Sequence, residues 1–187
     1  MDQMRMKRLK MGHLLCRFIQ VLFIMVLIAG YISLRPFKEK SVYLFAIAAL
    51  SIFLVGIPTL FIVTQFVIQI HPWFNPNFLI PLGGMIFANS MNSISLSGER
   101  FDNENNLSID ERINTAFKAS LIPITNSLFA VGLVSLPGTM TGMILSGVSP
   151  IIAVKYQIMV MCMIFGSTGI SSAIFLSFMK ARETSKN

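Results

Sequence analysis

An all-α, polytopic membrane protein is the fold class this sequence predicts, and three observations predict it. Hydrophobic residues fill 54% of the 187 positions, charged residues only 12%, and mean hydropathy is +0.71. A soluble domain carries about 25% charged residues. One of this size cannot hide so much apolar side chain, because roughly half of its surface must still face water. The third observation is spacing: uncharged runs near the ~20-residue length that crosses a bilayer recur along the chain with short connections. They predict about five transmembrane helices in a single domain over residues 1–187, with one segment broken by Pro and Gly.

The elements follow in order. Arg5, Lys7, Arg8 and Lys10 precede an apolar run too long for a signal peptide, so Leu14 to Leu34 reads as the first span, with Arg17 near one end. Pro36, in the basic stretch RPFKEK, stops it. Val42 to Ile70 is 29 residues without a charge. That exceeds the hydrocarbon thickness, so this span should tilt, kink or protrude, and Gly56 and Pro58 offer a kink. His71 to Asn77 (HPWFNPN) reads as a turn, with Trp73 and Phe74 suited to the membrane interface.

Phe78 to Leu96 is a weaker span carrying Pro81, Gly83, Gly84, Asn89, Ser90, Asn92, Ser93 and Ser95. Lipid penalises so many polar groups, so this helix is expected inside the protein, packed through its small residues or facing a cavity. Ser97 to Lys118 is the only long polar segment and holds five of the eight acidic residues, Glu99, Asp102, Glu104, Asp110 and Glu111. Ser108 and Glu111 match a capping box. Ile109, Ile113 and Phe117 then recur every fourth residue, as one face of a short amphipathic helix does. A solvated connector and a docking helix both fit that pattern. Leu121 to Leu136 is the next apolar run, followed by Pro137-Gly138 and the glycine-rich TMTGMILSGVSP. Ile151 to Phe178 is the last span, and the tail is polar and basic.

The net charge of +7 is expected to serve topology rather than nucleic-acid binding. With five spans, Arg35, Lys38, Lys40, Arg100, Arg112, Lys118, Lys180, Arg182 and Lys186 collect on one side. Arg5, Lys7, Arg8, Lys10 and Lys155 collect on the other. The larger set marks the cytoplasmic side and places the C-terminus there. It also leaves the basic N-terminus on the opposite side, against the usual trend.

The chain carries no P-loop, HExxH or GxSxG motif and no carboxylate in its long apolar spans, so no catalytic residues and no cofactor of its own are expected. His13 and His71 lie at span ends. Cys16 and Cys162 form no CxxC pair. Thirteen methionines, among them Met85, Met91, Met140 and Met143, could meet a soft metal, but filling apolar space is the stronger reading. Asn89, Asn92 and Asn126 are buried-amide candidates, either for substrate or for bonds between helices.

Gly132-Leu133-Val134-Ser135-Leu136-Pro137-Gly138-Thr139-Met140-Thr141-Gly142 resembles the GLVSLPGMMTG signature of the FetB-type permeases. These are ABC transporter membrane subunits linked to iron export and metal-stress resistance, with plant relatives in aluminium tolerance. Gly147, Pro150, Ala153 and Tyr156-Gln157-Ile158 extend the match, and Pro81, Gly84-Met85, Asn89, Met91 and Pro123 fit upstream. Thr139 stands where the family usually has methionine, Met143 where it often has glutamine, and Ala88 where it has glycine. The family is also longer, with about seven spans and a further cytoplasmic stretch absent between Ser97 and Lys118.

The resemblance implies a permease domain over 1–187, multi-pass in the inner or plasma membrane, exporting metal ions, most readily iron. It implies an ABC ATPase partner that binds the ATP and Mg, and a homodimer of the permease. Ser97 to Lys118 becomes a cytoplasmic coupling-loop candidate, with Ile109, Ile113 and Phe117 docking into a groove on the ATPase. Asn89, Met91, Asn92, Asn126, Pro137, Gly138, Met140, Thr141, Gly142, Tyr156 and Gln157 become substrate-pathway candidates, and any metal ligands are left open. A broken helix after Leu136 is tolerated at membrane depth only where protein or a cavity surrounds it. A shortened, non-transporting family member and an ATP-independent carrier or channel are the competing readings. The lack of buried carboxylates weighs against the carrier.

Overall fold

The computed structural model describes residues 2–37, 41–69, 75–104, 106–131 and 136–184, with side chains in the first helix from 19 onward together with that of Arg17. Six helices account for nearly all of them: α1 (Asp2–Ser33), α2 (Val42–Ile62), α3 (Pro76–Asn103), α4 (Ile109–Ala130), α5 (Gly138–Leu145) and α6 (Pro150–Thr184). No strand occurs among the described residues, so the all-α architecture is the observed one. By length and composition alone, Val42–Val67 and Pro150–Thr184 are apolar enough to cross a membrane, and Ile19–Ser33 is a shorter apolar helix. The expected interfacial Trp73 and Phe74, the basic Lys38 and Lys40, and Gly132 to Ser135 of the signature lie outside the described residues.

α1 ends one residue before the expected limit, in a turn through Leu34 and Pro36. Ser41 caps α2 by accepting from the Tyr43 N–H at 3.2 Å. α2 runs through Pro58 and then widens into a π-helical turn, Val63–Val67. The Thr64 hydroxyl sits at that change and donates to the Leu60 and Phe61 carbonyls at 2.8 and 3.2 Å. A side chain competing for backbone acceptors is one of the known causes of such a departure.

α3 begins with Asn75 as N-cap and Pro76 at its first position, the arrangement whose missing N–H costs nothing. It packs against α1, α2, α4 and α6 and is the centre of the bundle. The weakest span by hydropathy is therefore the most enclosed helix, as its polar and small residues predicted. Its buried face alternates large and small: Leu82, Ile86, Phe87, Ile94 and Phe101 with Gly83, Ser90, Ser93, Ser97 and Gly98.

The polar segment 97–118 is mostly helix rather than loop. α3 continues to Asn103, and only Glu104 to Ser108 connect it to α4. The capping box is present: the Ser108 hydroxyl accepts from the Glu111 N–H, and the Glu111 carboxylate accepts from the Ser108 N–H at 3.1 Å. No breaker separates the first turns of α4 from the next apolar run, so the expected short amphipathic helix and fourth span are one helix, continuous across Pro123.

The Pro-Gly interruption is a separate short helix. Pro137 precedes α5, and Gly147 closes it with a left-handed backbone, φ +89°. The Val148 N–H donates to the Met143 carbonyl and the Gly147 N–H to the Ile144 carbonyl, both at 3.0 Å, which is a Schellman closure. Pro150 then opens α6, against which α5 lies.

The outside of this bundle is apolar and part of its inside is polar. Phe53, Leu54, Phe61, Phe66, Phe129, Ile151, Ile158 and Ile170 are exposed. The buried polar side chains among the described residues are Ser and Thr hydroxyls plus Gln157, with no charge among them. Water would penalise that exterior, whereas lipid does not.

Candidate functional site

Apart from Ser33, Ser51 and Thr64, the buried hydroxyls among the described residues belong to α3, α4 and α6, which pack on one another. Ser90, Ser93 and Ser97 recur along one face of α3, Ser120 faces them from α4, and Ser167, Thr168, Ser171 and Ser172 from α6. The Ser120 and Ser172 hydroxyls bond each other at 2.9 Å, and the Ser93 hydroxyl reaches the Thr168 carbonyl at 3.4 Å. These contacts let the backbones approach closely, as small polar residues do between membrane helices.

Between the same helices lies a cavity of about 220 Å³, lined by Asn89, Asn92, Ser93, Ser120, Pro123, Ile124, Ser127 and Thr168. Asn89 sits at the middle of α3 and Thr168 at the middle of α6, so the cavity is at mid-bundle depth. The Thr168 side chain is almost fully buried, and its Oγ1 has no hydrogen-bond partner; the buried Ser90 Oγ has none either. An unpaired buried hydroxyl costs about 1–3 kcal/mol, and Thr168 carries that cost in the cavity wall.

The pathway candidates therefore separate. Asn89 and Asn92 line the cavity, Asn92 at its exposed mouth. Met91 faces away, in an apolar groove with Met25, Ile28 and Ala29 of α1. Asn126 is exposed on α4 and does not line the cavity. Pro137, Gly138, Met140, Thr141 and Gly142 belong to α5 and its approach. Buried Gln157 of α6 is tied to that corner by the Thr139 hydroxyl, which donates to Gln157 Oε1 at 2.7 Å, while Tyr156 is half-buried against the hydrophobic core. Ser93, Ser120, Ser127 and Thr168 were not singled out from the sequence, although Ser93 was noted among the polar groups of its span. Their signal was there in the run of hydroxyls Ser167, Thr168, Ser171 and Ser172 at helical spacing within an apolar span. Among the described residues no cluster of three or more His, Cys, Asp or Glu could hold a metal ion.

Charged side chains gather instead at one end of the bundle. Arg112 donates through Nε and a terminal nitrogen to the Phe101 carbonyl at 3.1 and 2.7 Å, and its guanidinium lies 4.0 Å from the Phe101 ring centroid. Lys180 of α6 pairs with Asp110 of α4 at 2.6 Å, and Arg182 stands 5.8 Å over the Tyr43 ring. Ile113 and Phe117 are half-buried against the chain's own core, and Ile109 is half-buried. The exposed positions on these turns are Asp110, Glu111, Asn114, Thr115 and Lys118.

The Ser108 hydroxyl and backbone N–H hold the Glu111 carboxyl below its ordinary value of 4.5. A carboxyl whose pKa is lower in the folded state stabilises that state above the unfolded pKa and loses its effect as pH falls through the folded one. Acidification below about pH 4 is therefore expected to fray the start of α4 first. Amide hydrogen exchange at Ser108 to Glu111 checks this, and protection there that does not change with pH would contradict it.

The model of the uncharacterised protein family UPF0014 matches residues 10–111 and 103–183. A UPF0014 membrane protein, slr1647 of Synechocystis, is 36% identical over 81% of this chain and 65% of its own length. The protein ALUMINUM SENSITIVE 3 of Arabidopsis thaliana is 32% identical over 79% of this chain and 59% of its own. The "Probable iron export permease protein FetB" of Escherichia coli is 36% identical over 57% of this chain and 49% of its own. The chain thus spans between about half and two-thirds of the length of these curated relatives. No solved structure matches it. With the family model covering most of the sequence and an apolar-sided helical bundle as its fold, the chain belongs to the UPF0014 family of α-helical membrane proteins.

Proposed function

We propose that this chain is the membrane permease subunit of an ATP-driven exporter of metal ions, iron foremost, with ATP and Mg bound by a separate ATPase subunit. The observation that carries the reading is the uncharged polar cavity at mid-bundle depth in a chain 36% identical to a protein named as an iron export permease. Buried polar groups within a membrane bundle are costly and mark ligand pathways. The permease works as a homodimer in the inner or plasma membrane, with the C-terminus cytoplasmic. The corner between α3 and α4, joined to the end of α6 by Asp110 and Lys180, faces the ATPase and passes its motion to the cavity helices. Ile109, Ile113 and Phe117 form the inner side of that corner, and the exposed face of the same turns meets the partner.

Loss of the gene is expected to raise intracellular iron under iron load, with the wild-type chain restoring it. Unchanged iron in the deletion strain overturns the export reading. Lys118→Glu, on the exposed face, is expected to reduce ATPase retained on the purified permease at least several-fold without altering membrane insertion. Equal retention would move the docking face elsewhere.

A further inference from the structure

Three of the four hydroxyls that line the mid-bundle cavity have their only proton already committed. The Asn89 side chain donates to the Met85 carbonyl at 2.8 Å. A carbonyl can only accept, so the nitrogen is the atom facing Met85, and Oδ1 remains over. The Ser127 hydroxyl donates to the Pro123 carbonyl at 2.9 Å and the Ser120 hydroxyl to the Phe117 carbonyl at 2.7 Å. The Ser93 hydroxyl donates to the Thr168 carbonyl. Each hydroxyl has one proton, so these three side chains offer oxygen lone pairs. Pro123 has no N–H, which leaves the Ala119 carbonyl one turn back without its helical donor. Thr168 adds an almost fully buried Oγ1 with no partner at all.

The hydroxyls of the described lining thus present oxygen acceptors, beside free N–H groups on Asn89 and Asn92, and the lining carries no carboxylate, imidazole or thiolate. Its complement is a ligand rich in donors. A bare multivalent cation is a poor match, because neutral oxygens repay little of the hydration it would lose. A cation that keeps its water shell is a good match, since metal-bound waters are strong donors. The cavity of about 220 Å³ has room for an ion with six waters at ~30 Å³ each. Met91, the nearest methionine in sequence to the lining asparagines, faces the α1 groove instead, so thioether ligation has no part here.

We infer that the cavity binds a multivalent metal cation with its first hydration shell intact, the shell waters donating to Asn89 Oδ1, to the Ser93, Ser120 and Ser127 hydroxyl oxygens, and to Thr168 Oγ1. This rests on the reading of the chain as a metal-ion permease. It makes the site a selector of charge and shell size rather than of ligand softness.

The test uses the full chain in lipid nanodiscs, with manganese(II) and the exchange-inert hexaamminecobalt(III), whose six ammine ligands present donors where an aquated ion presents waters. The inert complex is expected to displace manganese(II). Thr168→Val, close to isosteric, and Ser127→Ala, at an exposed position, are each expected to weaken both ligands about tenfold, the worth of one hydrogen bond to a charged group, with ligand-free melting unchanged in Ser127→Ala and raised in Thr168→Val, which loses an unpaired buried hydroxyl. Manganese(II) binding without displacement by the inert complex shows direct ligation and overturns the inference. So does equal affinity in both variants, and so does the absence of manganese(II) binding. The iron measurement separates the two ideas: raised iron in the deletion strain with no displacement keeps the export reading and removes this one. Unchanged iron with displacement intact does the reverse.

Discussion

Gly98→Ala is expected to lower the stability of the bundle by about 2–3 kcal/mol, at the upper end of the usual cost of overpacking. A Cβ on Gly98 would stand 1.9 Å from Phe37 Cζ and 2.6 Å from Cε2. The ring cannot swing clear cheaply. It is buried at 4% exposure, and it meets Phe175 of α6 edge-on, with centroids 6.0 Å apart. Phe37 follows the turn that ends α1, so this single ring wedges the α1–α2 connection between α3 and α6. Denaturation in mixed micelles should show the loss, and Gly98→Val should exceed it. Phe37→Leu placed in the Gly98→Ala background should return part of it, because the two sites share one contact. Strict additivity of the two substitutions would disprove the wedge. The same methyl at Gly138 or Gly142 meets nothing within 4 Å, so packing among the described residues does not require those two glycines.

That contrast marks how far the sequence could be read. Composition and run length identified a helical membrane chain because they depend on what each residue costs in lipid, which needs no tertiary knowledge. The capping box at Ser108 and Glu111 was legible because its partners lie three residues apart. The central place of α3 was legible because Asn and Ser are too costly to face lipid. What the sequence could not supply was pairing across helices. Ser120 and Ser172 are 52 residues apart and bond directly, and nothing local announces it. For the same reason Asn89 and Met91, adjacent candidates by position, separate onto opposite sides of one helix. The amphipathic face of Ile109, Ile113 and Phe117 was periodic as read, but periodicity only says that a face is covered, not by what. Here the chain's own core covers only part of Ile113 and Phe117.

Arg112 tests the corner that those residues build. The Phe101 carbonyl lies in the last turn of α3, where backbone acceptors run out of helical donors. Arg112 supplies the missing donors from α4, with two bonds to that one oxygen, and stacks on the ring of the same residue. Arg112→Ala removes all three contacts and is expected to cost about 2–3 kcal/mol, the range for hydrogen bonds to a charged group with a cation–π contact added. Hydrogen exchange should rise in the last turn of α3 before it rises elsewhere. Arg112→Lys keeps the charge but loses the planar fork and the stacking surface, so it should restore less than half of that stability. Full restoration by lysine would mean that charge alone matters and that the corner is not clamped. Under the permease reading the lysine variant is the informative one. Its bundle stays folded and its cavity, which begins about 12 Å along α4 at Ser120, stays formed. The joint between α3 and α4 loosens, so metal binding should persist while ATP-driven export falls.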